Sequence, residues 1–127
     1  MKIGKIDIKK FEAISTKIIT NEVILTEKQR EHIENRHPEV LKKYEKYFKT
    51  VIEKPDFILK DNTRENTALV LKTIVEKEKN KTINLVIRLA VEGDNIKNKN
   101  SIITCIPIGK NRLKSYINNG KIIYKKE

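Results

Sequence analysis

His32 and His37 bracket Arg36 within one short segment of a strongly basic chain. Unperturbed imidazoles titrate near ~6.5, so of two such groups one can take a proton at neutral pH while the other gives one. They are five residues apart and cannot share a face of one straight helix, but Pro38 lets His37 swing independently. His32 and Arg36 lie beside Ile33 at helical spacing, which would turn them toward the protein. Two plainer readings stand next to the chemical one: the side chains are solvated, or His32 bonds a nearby carbonyl. No third His and no clustered Asp or Glu completes a ligand set, so the sequence predicts no metal site and no cofactor.

A second group of candidates sits in strand-like segments. Lys72 alternates with Val70 and Ile74, and Arg88 with Val86 and Ala90, so each cation is flanked by apolar residues. On that reading the two share the sheet face away from the aliphatic stripe, where a cation can bind phosphate or simply cover apolar surface with its stem. Asn100, Ser101 and Thr104 open a later strand and could bond a phosphate oxygen or stabilise the turn. Strict alternation puts Thr104 on one face with Ile102 and Ile106, so a bulge is required if it is to join Lys72.

The elements that must position these residues can be read in order. Alternating segments in residues 1–25 predict short strands, with a turn at Asn21-Glu22. Thr26 and Gln29 form a capping box that starts a helix ending near Arg36. Pro38 starts a second helix reaching about Glu53, with Val40, Leu41, Tyr44, Tyr47, Phe48, Val51 and Ile52 on one broad apolar face. Period-two segments follow at Phe57–Leu59, Ala68–Val75, Ile83–Val91 and Ile102–Ile108. A turn at Glu78–Lys81 joins two of them, 93–100 is a polar loop, and a short helix near Leu113–Ile117 precedes a last strand at Lys121–Tyr124. This order predicts an α+β fold with the helices on one face of an antiparallel sheet.

Composition narrows the classes. The 127 residues suit one domain, and 38% hydrophobic residues suffice for a core. No segment is long and apolar enough for a membrane helix or a signal peptide, which predicts a cytoplasmic protein with no membrane partner. The single cysteine, Cys105, lies among isoleucines and reads as a core residue. A formal charge of +11 favours a polyanionic partner, with a general Lys, Ile and Asn bias as the competing explanation.

The segments Ile18–Thr26, His32–Pro38, Pro55–Ile58, Asn66–Lys72 and Lys99–Thr104 resemble a nuclease-like domain of phages and integrative elements, grouped with barnase, EndoU, colicin D and RelE. The resemblance spans nearly the whole chain. It implies a single barnase/EndoU-like domain over 1–127, with short strands in 1–25, helices in 26–53 packed on one face, and a four-stranded or larger antiparallel sheet in 56–125. It further implies metal-independent cleavage of RNA, with the 2′-hydroxyl attacking to leave a 2′,3′-cyclic phosphate. The catalytic set would be His32, His37, Arg36, Lys72, Arg88 and Thr104, with Ser101, Asn100 and Tyr124 on the substrate. Expected partners are RNA and a cognate inhibitor protein, the chain being a monomer or weak homo-oligomer. The rival reading is a non-catalytic nucleic-acid-binding module regulating a mobile element; a third is an inhibitor or structural subunit.

Overall fold

In the computed structural model, which describes residues 1–76 and 79–127, one seven-stranded sheet runs through the molecule. The strands are β1 (Lys2–Lys5), β2 (Glu22–Ile24), β3 (Phe57–Lys60), β4 (Thr67–Glu76), β5 (Lys79–Arg88), β6 (Asn100–Ile108) and β7 (Lys121–Lys125). Their spatial order is β1-β2-β6-β5-β4-β3-β7, antiparallel throughout except for β2, which runs parallel to β6. The α+β class therefore stands, but the sheet is mixed. β2 points the same way as β6, with Val23 opposite Asn100 and Ile24 opposite Ser101.

The N-terminal region is less extended than its alternation suggests. Residues Ile8–Phe11 form a single 3-10 turn capped by Asp7, whose carboxylate accepts the Lys9 N–H, and this drops Phe11 into the core. Glu22 belongs to β2 and is not a turn residue. Thr26 caps helix α1 (Glu27–Arg36), its hydroxyl accepting the Gln29 N–H at 3.1 Å. The helix stops at His37 because Pro38 disfavours helical angles in the residue before it; Pro38 then opens α2 (Pro38–Tyr44). The single helix expected as far as Glu53 is interrupted by a 3-10 turn at Glu45–Tyr47 before α3 (Phe48–Glu53). At that break the Glu45 carboxylate receives both terminal nitrogens of Arg30, which ties α1 to the interruption.

Both sheet faces are covered, unequally. Ile33 of α1, Val40, Leu41 and Tyr44 of α2, and Phe48, Val51 and Ile52 of α3 form one cluster with the face carrying Ile58, Val70, Leu85, Ile87, Ile102 and Cys105. Burial pushes the Cys105 thiol up to about 12, as befits a core residue. A fourth helix, α4 (Lys110–Asn119), lays Leu113 and Tyr116 on the opposite face, against Leu59, Leu71 and Ile108. Hence the helices do not all pack on one side. Gly120 permits this approach: a Cβ there would lie 2.4 Å from Leu59 Cδ2 and 2.5 Å from the Tyr116 carbonyl oxygen.

The β4–β5 register decides where the cations go. Glu76 pairs with Lys79 and Thr67 with Arg88, so each odd-numbered residue of one strand faces an even-numbered residue of the other. Lys79, Asn80 and Lys81 are thus strand residues; the remaining residue of the expected turn, Glu78, lies outside the described residues. Lys72 opposes Ile83 and belongs to the face under α1–α3, whereas Arg88 opposes Thr67 on the α4 face. The expectation that they share a face is overturned, because directly opposed residues point the same way and both cations are even-numbered.

Candidate functional site

The bulge required by the sequence is present, though it delivers Thr104 elsewhere. Between Val86↔Thr104 and Ile87↔Ile102 the β5–β6 register shifts by one residue, leaving Ile103 unpaired. That is why Ile102 and Cys105, three apart, are both fully buried in the main core. Beyond the bulge Thr104 lies with Val86 and Asn84, and Ser101 lies opposite Arg88. The hydroxyls thereby join Arg88 on the α4 face, not Lys72.

At the end of that face α4 does not reach, and a groove of about 410 Å³ opens. Arg88 and Ser101 line it with Thr26, Asp94, Lys97 and Lys99. Arg88 donates to the Leu89 carbonyl and lies 3.7 Å from Asp94, and its side chain is 41% exposed, so part of the guanidinium is available to a ligand. Asp94 also accepts the Val91 N–H at 3.0 Å, which anchors the loop after β5. Lys99 contacts Glu22 at 2.8 Å and, as its first cause, holds that carboxyl below the usual range. Lys97 is exposed and has no acidic partner among the described residues. Thr26, at the N-terminus of the ten-residue α1, brings the positive end of the helix dipole to the same groove. Three cations, one acidic side chain and two hydroxyls suit a phosphate.

The other sequence candidates lie apart from it. Lys72 donates to the Lys54 carbonyl at 2.8 Å and lies 3.4 Å from Asp56, whose second oxygen accepts the Thr73 N–H. Asn100 is fully buried and its amide is consumed: Oδ1 accepts the Ala90 N–H, and Nδ2 donates to the Thr20 and Glu22 carbonyls. Tyr124 packs on the main core with Lys10 Nζ 4.5 Å from its ring centre. His32, Arg36 and His37 are all exposed; Ile33 alone of α1 is buried, so His32 and Arg36 do not turn inward. None of the three lines the groove. Sequence reading missed Thr26, Asp94, Lys97 and Lys99 as groove residues. The lysines alternating into Asn100-Ser101 were the available signal.

The family model of the phage-Barnase-EndoU-ColicinE5/D-RelE like nuclease2 (PBECR2) matches residues 2–125. The chain belongs to this family. No curated protein and no solved structure matches it. Membership of PBECR2 makes it a nuclease-like domain of the barnase, EndoU, colicin and RelE kind, with nucleic acid as the partner class. Among the described residues no helix of this PBECR2 domain is long and apolar enough to cross a membrane, and no three His, Cys, Asp or Glu side chains gather as a metal-holding group.

Proposed function

We propose that the protein is an endoribonuclease that needs no metal. A base removes the proton of a ribose 2′-hydroxyl, the oxygen attacks the adjacent phosphorus, and an acid protonates the departing 5′ oxygen, leaving a 2′,3′-cyclic phosphate. The observation that carries this reading is the groove in which Arg88, Lys97 and Lys99 meet the Ser101 hydroxyl and the α1 N-terminus, in a chain of a nuclease family. Arg88 and Lys99 hold the phosphate and stabilise the charge that grows on it; Ser101, with Thr104 on the same face, orients it.

His32 and His37 are the acid and base in unassigned order, with Arg36 beside them. At ~1.5 Å per helical residue His32 lies roughly 9 Å along α1 from Thr26, and His37 roughly 16 Å. His32 is therefore the imidazole nearer the groove. Lys72, bonded on the other face, is left out of this site. One observation favours a second reading, a non-catalytic nucleic-acid-binding module: neither histidine lines the groove.

Incubating purified protein with RNA in EDTA separates the two. Cleavage with 2′,3′-cyclic phosphate ends, lost in Arg88→Ala, supports the nuclease. Binding without cleavage supports the module, and cleavage that needs added Mg²⁺ overturns the mechanism.

A further inference from the structure

The sheet face that carries Arg88 also carries an amide with nothing to bond. Asn84, midway along β5 between Leu71 and Ile106, is 1% exposed, yet neither its Oδ1 nor its Nδ2 has a hydrogen-bond partner among the described residues. A buried amide left unpaired costs stability, and an apolar side chain of similar size would remove that cost. The strand residues directly beside it on this face offer no partner: Leu71, Val86 and Ile106 are apolar, and Thr82, two positions away, shares a hydrogen bond with Thr73 at 3.0 Å.

Asn84 lies in the floor of a cavity of about 270 Å³ between the sheet and α4. Leu69, Val86 and Ile106 supply aliphatic wall, and Tyr116 of α4 supplies an aromatic ring. Asp61 and Arg64, paired at 3.0 Å, line it from the loop after β3. Asp61 is satisfied within that loop, accepting the N–H and hydroxyl of Thr63 at 2.8 Å each, while Arg64 is about half exposed.

We propose that this cavity takes one nucleobase of a bound RNA strand, with the Asn84 amide reading its hydrogen-bonding edge. An amide sets a donor beside an acceptor, the arrangement that engages a base edge bidentately, as Asn does with adenine. Flat apolar faces meet the aliphatic wall and the tyrosine, a contact that favours bases generally. The volume lies below the ~300–1,000 Å³ of ordinary small-molecule pockets, so there is room for one base and not for several. Asn84 and Arg88 occupy one face of β5 four residues apart, roughly 13 Å by strand rise, so a strand with a phosphate at Arg88 reaches Asn84 within a few nucleotides. The strand as the source of the base rests on the nucleic-acid reading of the groove.

The test follows the Asn84 side-chain amide by NMR while the four ribonucleoside 5′-monophosphates, and ribose 5-phosphate as the baseless probe, are titrated in. The amide signals are expected to shift with at least one nucleotide and not with ribose 5-phosphate. Asn84→Leu is expected to lose about tenfold or more of that affinity, with a melting temperature equal to or above the parent's. Should Asn84→Leu fail to fold, Tyr116→Leu, which keeps the apolar contact and removes the ring, is expected to bind the same nucleotide more weakly. No amide shift with any nucleotide, or unchanged affinity in the variants, overturns the proposal. Nucleotide binding at Asn84 in a protein that cleaves no RNA keeps the base site and removes the nuclease reading. Cleavage with the same base preference in Asn84→Leu removes the base site and keeps the nuclease.

Discussion

Arg88 and Ser101 stand directly opposite each other across β5 and β6, on the sheet face away from α1–α3. The pairing comes from the one-residue bulge at Ile103, because without it Ser101 would turn to the packed face. A cation and a hydroxyl thus reach a shared groove from two rigid strands, and such strands hold a ligand more exactingly than a loop would.

Arg88→Ala and Lys72→Ala should separate cleanly. Removing Arg88 is expected to weaken single-stranded RNA binding and to reduce the slope of log affinity against log salt by about 1, with less than ~1 kcal/mol of stability lost because its ion pair is exposed. Lys72→Ala is expected to leave the slope unchanged and to lose about 1–2 kcal/mol, since its ammonium bonds the Lys54 carbonyl beside Asp56 with its side chain only 15% exposed. Salt-dependent binding isotherms with parallel denaturant melts check both.

Asn100→Ala should unfold the domain readily while saying little about substrate. Its amide joins the start of β6 to the backbone at Thr20, Glu22 and Ala90, and truncation leaves a buried N–H and two part-buried carbonyls without that partner. A loss of about 2–4 kcal/mol is expected by urea denaturation. A variant that is fully stable but binds RNA poorly would instead make Asn100 a ligand residue.

The same residue shows where sequence reading reaches its limit. Alternation within each strand was legible, as were the Thr26 cap, the Pro38 break and the buried Cys105, because each depends on neighbours in sequence. What a polar residue faces depends on register. Nothing local to Lys72 or Arg88 reveals that odd pairs with even across β4 and β5, and a one-residue change would have put them on one face. Asn100 beside Ser101 reads as two polar strand residues, yet successive strand residues point oppositely, one into the clamp and one into the groove. The apolar residues of β4 hid the second covered face, since α4 needed Leu69 and Leu71 as the α1–α3 side needed Val70.

Asp61 should mark the acid limb of stability. Burial works most strongly against its charge, but the Thr63 N–H and hydroxyl together with Arg64 outweigh it and hold the carboxyl below its ordinary value. A lowered folded value means stability that is fully present above the unfolded value of ~3.9 and lost as pH falls from there through the folded one. Asp61→Asn is expected to be less stable at neutral pH by about 1–3 kcal/mol and to show a shallower decline below pH ~4 in melts taken across pH. An identical acid slope in both proteins would show that other carboxylates set it.

The histidines offer the sharpest test of mechanism. Both are exposed, so replacing either by Ala should change stability by no more than about 0.5 kcal/mol, and any loss of activity then reports on chemistry. One positioned acid or base contributes on the order of 10²–10⁴ in rate. His32→Ala is expected to lower single-turnover RNA cleavage by that factor with affinity within about twofold, since Arg88 and the groove lysines carry the binding. His37, farther along the helix from Thr26, reaches the same phosphate only if the strand bends around the end of α1, so His37→Ala should show the same loss on long RNA and a smaller one on a dinucleotide. If both histidines act, the wild-type rate follows a bell in pH whose two limbs belong to the pair, and each variant loses one limb. A rate unchanged in both variants, with the bell intact, would take the imidazoles out of the reaction and leave the groove as a binding site alone.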